Sequence, residues 1–240
     1  MPGYILHLTA AKMYLNLLAK KQMRFWDAGC QNEFYIGNLL PDTVREKSES
    51  HFRDPKYRER MMEWPQPEKF LRKYRERMNE AVYQGYHFHL YIDKCFFKDY
   101  IPQAVVFYDE HGRVTELRRE VREILIQKSG ERISLPQYLS EEYYYGDYTK
   151  MNTWLWERFE LPEHLRVGSD PEIEEADYQE IEGILRQLEE YRKVPANAVE
   201  ELKVFQLDRL LAFLEKAAEN YASAFLRDNR AERKEENRNL

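Results

Sequence analysis

The sequence predicts an all-α fold, a single domain of several helices with one small β-hairpin. Glycine and proline are sparse, at 9 and 10 of 240 residues, which is few for a chain built from many short strands and turns. Apolar residues recur at three- and four-residue spacing through several long segments, as they do on one face of a helix. We expect the domain to cover residues 1–228, followed by a charged, frayed tail over 229–240.

Composition and charge exclude several classes of protein. Hydrophobic residues make up 43% and charged residues 33%, which is typical of a soluble globular chain. The formal net charge of −6 offers no basic face, so we expect no nucleic-acid partner. Cys30 and Cys95 form neither a disulfide framework nor a metal knuckle. Without a recognisable signal peptide or an apolar run of membrane-spanning length, we expect a cytoplasmic protein with no transmembrane segment.

The N-terminal third contains one clear helix and one long loop. Residues 4–21 are predicted to form an amphipathic helix, with apolar positions at helical spacing. The apolar segment EFYIGNLLPD, residues 33–42, stops at Pro41 and Asp42. Residues 43–66 are polar and contain prolines, so they are predicted to be an irregular loop with short helical pieces.

Residues 67–97 are predicted to form one long helix. Its first half is charged and its second half is apolar nearly all round, so it should run from the surface into the core. Pro102 should end it, because proline disfavours helix at the residue before it. Gly85 would let another backbone or a ligand approach closely.

The second half of the chain continues the helical pattern. Residues 104–115 are predicted to form a small hairpin around His111 and Gly112, or a loop that enters a helix, and residues 115–128 are predicted to be helical. Further helices are predicted over three stretches: from about Asp147, over 171–193, and over 197–228 after a break at Val194 and Pro195.

The stretch GYHFHLYIDKCFF, residues 85–97, is apolar and aromatic, yet it carries groups that are costly to bury unpaired. His89 and Asp93 are four residues apart and lie on one helix face, so they can bind one metal ion together. They can equally form a buried hydrogen-bonded pair. His87 points to a different side, and we assign it to packing or to a hydrogen bond with the backbone.

His7, Asp42 and His51 are further candidate ligands because of their order along the chain. Taken singly, His7 is a core histidine, Asp42 a turn or N-cap residue, and His51 a surface residue. The phrases YILHLTAAKMYL, FYIGNLLPDT, SHF and GYHFHLYID carry these residues, together with His89 and Asp93, in sequence order. Over residues 1–100 this series resembles the zinc-dependent phospholipase C family of bacteria, and the chain looks like a divergent cytoplasmic member.

That resemblance implies a fold and a ligand set. The family is all-α, with its metal cluster between helices. It would make Asp42, His51, His89 and Asp93 one four-ligand site, and His7 with a bridging Asp93 part of a second. Imidazole and carboxylate suit zinc, while oxygen-rich ligation also tolerates manganese, iron or magnesium. We expect one or two ions.

The chain also departs from the family's pattern. Secreted members use an N-terminal Trp as a ligand, and this chain reads Met-Pro-Gly there. Where the family has a further His after the His-x-x-x-Asp motif, the chain has Asp99, which is either an additional ligand or a solvated residue. The family's later His-x-x-x-Glu is missing. Asp147 is the nearest candidate for an additional metal or substrate contact, with a helix N-cap as the alternative.

The resemblance implies a metal-dependent phosphoester hydrolase. A metal ion lowers the pKa of water and so supplies a nucleophile at neutral pH, and Asp42 is the candidate catalytic carboxylate. The substrate would be a small-molecule or lipid-headgroup phosphoester. The aromatic residues Tyr143–Tyr145, Trp154 and Trp156 either line a pocket for a choline-like cation or simply form core.

Three competing interpretations remain open to different degrees. An all-α phosphohydrolase of the His-Asp type needs an adjacent His-Asp dipeptide, which the chain lacks. A catalytically degenerate binding or scaffold protein that keeps the fold would explain the missing downstream ligands. An interaction protein could use the helices of residues 171–228, although their apolar stripes suit packing on the main body.

Overall fold

The computed structural model describes residues 3–21 and 26–236, with side chains described as far as residue 224. It is mainly helical and contains a three-stranded antiparallel sheet. The prediction of a mainly helical chain with a small β element is therefore confirmed. Within the described residues, no helix combines the length and the apolar character needed to cross a membrane. The division into one domain and a tail stays a prediction.

The N-terminal half holds the helices that surround the core. They are α1 (Tyr4–Lys20), α2 (Ala28–Leu39), α3 (Lys47–Ser50), α4 (Pro67–Lys73) and α5 (Ala81–Cys95). Short 3-10 turns lie between them at Leu40–Asp42, Pro55–Tyr57 and Arg75–Arg77. The apolar segment that ends at Pro41 and Asp42 is therefore helix α2 with one 3-10 turn.

The second half adds the sheet and the outer helices. A π-helical turn at Phe96–Tyr100 leads into α6 (Ile101–Ala104) and the strands β1 (Val105–Tyr108), β2 (Glu123–Ile126) and β3 (Arg132–Ser134). Next come α7 (Leu135–Tyr138), α8 (Tyr144–Phe159), α9 (Ile181–Tyr191) and α10 (Leu207–Glu236). Additional 3-10 turns lie at Tyr178–Glu180 and Ala196–Glu201.

Helices α2 and α5 touch through their backbones. A Cβ atom added at Gly85 would lie 2.1 Å from the carbonyl oxygen of Phe34, and one at Gly37 would lie 1.9 Å from that of Val82. No side chain fits at either distance, so glycine is required at both positions. The close backbone approach expected at Gly85 is confirmed, and the approaching backbone is that of α2.

Aromatic rings fill the seam between α1, α2 and α5. The ring of Tyr14 lies 5.4 Å from Phe34 and 5.1 Å from Phe88, measured between centroids. Tyr221 of α10 meets the same ring edge-on at 5.3 Å. Offset and edge-to-face contacts of this kind are favourable beyond the area that they bury.

The single helix predicted over 67–97 is wrong, because the chain breaks between α4 and α5. Side chains satisfy the polar groups of the break. The guanidinium of Arg77 pairs with Glu80, and the amide of Gln84 donates to the carbonyl oxygen of Met78 at 2.7 Å. The helix end expected at Pro102 is also wrong. Proline lies in the first turn of α6, where its missing N–H needs no partner.

The helix predicted over 115–128 is also wrong, since β2 lies there. It pairs with β1 from Val105 opposite Ile126 to Tyr108 opposite Glu123, and β3 pairs on its other side. The hairpin predicted at 104–115 is present as a tight turn, closed by a bridge between Tyr108 and Val114. Its first strand nevertheless finds its main partner further along the chain.

The two C-terminal helices are shorter or shifted relative to their predictions. Of the stretch 171–193, only Tyr178–Tyr191 is helical, and the residues before it run over the surface, where Tyr83 donates to the carbonyl oxygen of Pro171 at 2.6 Å. α10 begins at Leu207 and continues to Glu236, into the stretch predicted as tail. Residues 237–240 of that tail lie outside the described residues.

The backbone contact at Gly85 predicts a clear stability effect. Replacing a mid-helix glycine by alanine normally stabilises a protein by roughly 0.5–1 kcal/mol, but here the Cβ forces two helices apart. We expect Gly85→Ala to lower the free energy of unfolding by roughly 1–3 kcal/mol, measured by urea denaturation. Gly168→Ala is the matched control, because a Cβ there meets nothing within 4 Å. Equal stabilities for the two variants would contradict the role of the contact.

Candidate metal centre

The five residues singled out as ligands come together in one buried cluster. His7 lies on α1, Asp42 in the turn after α2, His51 directly after α3, and His89 and Asp93 on α5. Asp42 is the most exposed of the five, at 6%. Four separate segments therefore deliver imidazole and carboxylate groups to one point in the core. We call this cluster the His/Asp centre.

The carboxylate of Asp93 lies among three imidazole rings. Its Oδ1 is 3.1 Å from Nε2 of His7, and its Oδ2 is 3.4 Å from Nε2 of His51 and 3.9 Å from Nε2 of His89. On the other side, Oδ1 of Asp42 is 3.7 Å from Nε2 of His51. The Nε2 atoms of His51 and His89 are 3.2 Å apart.

These atoms form two overlapping groups that could each hold a metal ion. One group is His7, His89 and Asp93, and the other is Asp42, His51 and His89, with the candidate ligand atoms of each within 4.8 Å of one another. The shared residue is thus His89, whereas the resemblance made Asp93 the bridge. Asp93 still contacts His51 of the second group.

Helix α2 fixes the tautomer of His89. Nδ1 of His89 donates to the backbone carbonyl oxygen of Asn38 at 2.8 Å. A carbonyl oxygen only accepts, so Nδ1 carries the proton and Nε2 presents its lone pair to the centre. This arrangement is the usual one for a histidine that binds a metal. It depends on the close approach of α2 and α5 at Gly85.

The other two histidines are held by packing and by one hydroxyl. The ring of His7 stacks on that of His89, with centroids 3.7 Å apart and planes within 7°. Nδ1 of His51 lies 2.9 Å from the hydroxyl of Ser50. The backbone turns sharply at Phe52, whose φ is +50°, and this turn directs the chain away after His51.

Several polar atoms of the centre have no hydrogen-bond partner within the described part of the chain. They are both ring nitrogens of His7 and both carboxylate oxygens of Asp93. These atoms lie close to polar neighbours but outside hydrogen-bonding geometry. Burying such groups unpaired costs free energy. A metal ion between them would satisfy their lone pairs, so the residues present fit a metal site.

The electrostatics of the centre keep its groups in the state that metal binding needs. Burial alone would raise the pKa of Asp93, but His51 and His7 hold it well below its ordinary value. Burial likewise opposes ionisation of Asp42, yet His89, His51 and Lys47 lower its pKa. Burial, together with His7, lowers the pKa of His89 to about 3. The carboxylates are therefore ionised and His89 is neutral, as metal ligands must be.

Asp42 marks the edge of the centre nearest to solvent. The ammonium of Lys47, whose side chain is 23% exposed, lies 2.7 Å from Oδ1 of Asp42 and also donates to its backbone carbonyl oxygen. Burial raises the pKa of the Tyr4 and Tyr191 hydroxyls, and the charge of Asp42 raises them further. The rings of these two tyrosines lie 6.1 Å apart.

Helix α9 lies along this edge. Its last residue is Tyr191, and just before its first turn the backbone N–H of Asp177 donates to the hydroxyl of Thr43 at 2.9 Å. Beside α9 is a cavity of about 200 Å³, with Trp156 and Leu165 on one wall and Leu185 and Leu188 on the other. Both ends of the segment that carries α9 thus meet residues at or next to Asp42.

Neither additional candidate joins the His/Asp centre. Asp99 is exposed on the π-helical turn after α5, because that turn directs it outward. Asp147 is fully buried, but its carboxylate accepts backbone N–H groups from Lys203, Val204 and Phe205 at 2.7–3.1 Å. It holds the segment before α10. The N-cap role is wrong as well, since α8 begins at Tyr144.

The aromatic residues of α8 are mostly core. Tyr143, Tyr144 and Trp156 are buried, while Tyr145 is 47% exposed. The cation over the ring of Trp156 is the chain's own Arg192, at 4.6 Å from the ring centroid. The core interpretation therefore describes these residues better than a pocket for a choline-like cation.

Fold and site together define a mainly helical protein with a buried His/Asp cluster able to hold a metal ion. Comparison of the chain with models of known families, with curated proteins and with solved structures finds no match. The likeness to zinc-dependent phospholipases C therefore remains a sequence-based expectation.

Sequence reasoning missed two polar residues at the centre, Asn38 and Lys47. Asn38 had a visible signal, because it is a polar residue in the middle of the apolar run FYIGNLLPD. Lys47 had none, since it is one of many charged residues in a polar segment.

The contacts of Asp147 predict a structural role. Its removal leaves buried N–H groups unpaired, so we expect Asp147→Ala to lower the free energy of unfolding by roughly 3 kcal/mol in a denaturant titration, without loss of bound metal. Asp99→Ala is the exposed control and should change stability by less than about 0.5 kcal/mol. Loss of metal in Asp147→Ala, with stability unchanged, would show that Asp147 is a ligand instead.

The lowered pKa of His89 predicts acid sensitivity of the metal-free protein. The unfolded chain binds a proton on this residue below pH 6.5, whereas the folded protein does so only near pH 3. The free energy of unfolding should therefore fall as the pH falls from about 6.5 towards 3. His89→Gln should show a shallower decline in urea titrations of metal-free protein across this range. Parallel curves for the two proteins would be inconsistent with a neutral, buried His89.

Proposed function

We propose that this protein binds one or two divalent metal ions at the His/Asp centre and hydrolyses a phosphoester there. The observation that carries the proposal is the convergence of three imidazoles and two carboxylates, with unpaired atoms on His7 and Asp93. Zinc suits this mixed nitrogen and oxygen donor set, and manganese, iron and magnesium are alternatives.

A metal ion in such a site supplies a low-pKa water and polarises a phosphoryl oxygen. The chain's own residues have separate roles in the proposal. His7, His51, His89 and Asp93 hold the ion. Asp42, ionised and closest to solvent, binds the ion and accepts a proton from water. The ammonium of Lys47, 2.7 Å from Asp42, offers positive charge to the leaving oxygen.

The proposed substrate is a small-molecule or lipid-headgroup phosphoester. The preference for a phosphoester comes from the sequence resemblance and from the metal chemistry. We place the protein in the cytoplasm, which suits Cys30 and Cys95, since they form no disulfide with each other.

A second function deserves a test, because the centre is closely enclosed. All five residues are buried, and α9 lies along the edge at Asp42, which is the most exposed of the five. A protein that uses its metal only to hold the fold together would look the same. That alternative predicts stoichiometric metal and no hydrolysis.

Metal analysis tests the centre directly. We expect the wild-type protein to retain one or two equivalents of zinc, manganese or iron, measured by elemental analysis, and His89→Ala to lose them. His87→Ala is the matched control, because His87 lies on the same helix but pairs with the hydroxyl of Tyr221 at 2.8 Å. No stoichiometric metal in the wild type, after refilling with each ion, would end the proposal.

Hydrolysis separates the enzyme from the scaffold. The metal-loaded wild type should cleave chromogenic phosphomonoesters or phosphodiesters, and Asp42→Asn should lower kcat at least about a hundredfold. A metal-loaded wild type that is stabilised by its ion but cleaves none of these esters would favour the scaffold.

A further inference from the structure

Asn38 is a buried amide whose side chain has no hydrogen-bond partner in the described residues. The residue is 0% exposed, and both its Oδ1 and its Nδ2 are unpaired. A carboxamide offers two donors on nitrogen and accepts on oxygen. Leaving both atoms unpaired in the core costs free energy. A buried unpaired amide therefore calls for an explanation, and a bound ligand is one.

Asn38 lies beside the His/Asp centre. Its backbone carbonyl oxygen accepts from Nδ1 of His89, and its short side chain cannot carry the carboxamide far from that carbonyl. Along α2 it follows Phe34 by one turn, and Phe34 packs on Tyr14 of α1 and Phe88 of α5. The next turn of α2 therefore enters the seam in which His7 stacks on His89.

The centre offers few hydrogen-bond donors, since the ammonium of Lys47 lies at its edge and is paired with Asp42. The carboxylates of Asp42 and Asp93 and the Nε2 lone pair of His89 are acceptors only, and they bind a cation well. An anionic oxygen brought next to them needs donors as well. The Nδ2 group of Asn38 supplies N–H donors without adding positive charge, so it does not compete with the ion.

We propose that the Asn38 carboxamide is a binding residue of the centre: Nδ2 donates to an oxygen of a phosphoryl group, and Oδ1 accepts from a water molecule or a hydroxyl. The inference rests on the proposed function and adds a residue that recognises the anion instead of the metal. It also gives a reason for the unpaired amide, which is satisfied only when the ligand is bound.

Inorganic phosphate is the probe. It is titrated calorimetrically into the full-length, zinc-loaded protein, and zinc content is measured in the same samples. We expect Asn38→Leu to bind phosphate at least about tenfold more weakly with its zinc retained, since one charge-assisted hydrogen bond is lost. Asn38→Asp keeps the shape without the N–H donors and should show the same loss. Gln84→Leu is the matched control, because it removes a buried amide whose Nε2 donates to the carbonyl oxygen of Met78. This variant should bind phosphate as the wild type does.

The melting temperature of the metal-free protein also tests the inference. A binding role and a structural role for the Asn38 carboxamide predict opposite changes in it. Because Asn38→Leu removes two unpaired polar atoms, the metal-free variant should melt at a higher temperature than the metal-free wild type. If the carboxamide were a structural hydrogen-bonding group, the variant would melt at a lower temperature and bind phosphate normally, which would overturn the inference.

The remaining outcomes separate the inference from the proposed function. Unchanged phosphate affinity in both Asn38 variants would overturn the inference and leave the hydrolase proposal standing. Loss of zinc in both variants would overturn the assignment to the phosphoryl group. A zinc-loaded wild type that binds no phosphate would overturn the inference and the hydrolase proposal together.

Discussion

The contact between the backbones of α2 and α5 is the constraint on which the rest of the structure depends. Gly37 and Gly85 let the two helices approach until backbone atoms touch. At that distance the carbonyl of Asn38 reaches His89, which sets the tautomer of the imidazole. The same approach brings the turn after α2, with Asp42, up to His51. A wider spacing would leave the five polar groups apart, each buried without a counterpart.

Among the described residues, buried polar atoms without a hydrogen-bond partner are most numerous at the His/Asp centre and at Asn38 beside it. Elsewhere in the core Asp147 finds protein partners in the amides of residues 203–205, whereas single atoms such as Oε1 of Gln84 and the hydroxyl of Tyr138 do not. At the His/Asp centre the carboxylate of Asp93 and the ring of His7 do not. A fold that satisfies one buried carboxylate with several N–H donors could satisfy another. The contrast between Asp93 and Asp147 supports an unsatisfied centre as a functional feature.

The sequence predicted the helical character and the five members of the centre, because periodicity and motif order are local signals. It did not predict the break before α5, where Arg77 pairs with Glu80 and Gln84 donates to the carbonyl oxygen of Met78. It also misassigned residues 115–128, whose glutamates, arginines and leucines favour helix. Pairing with β1 overrides that preference, and such pairing is a long-range interaction. Asp147 shows the same limit, since its partners lie far along the chain.

Helix α9 has a kinetic consequence for the centre that it borders. The segment that carries it is tied to Thr43 at one end and ends with Tyr191 beside Asp42, while a cavity lies along its flank. Under the proposed function, an ion or ester that enters beside Asp42 would meet this helix. The rates of entry and exit would then depend on displacement of this amphipathic helix as well as on the strength of the ligand bonds. A centre enclosed in this way can hold a weakly bound ion for a long time.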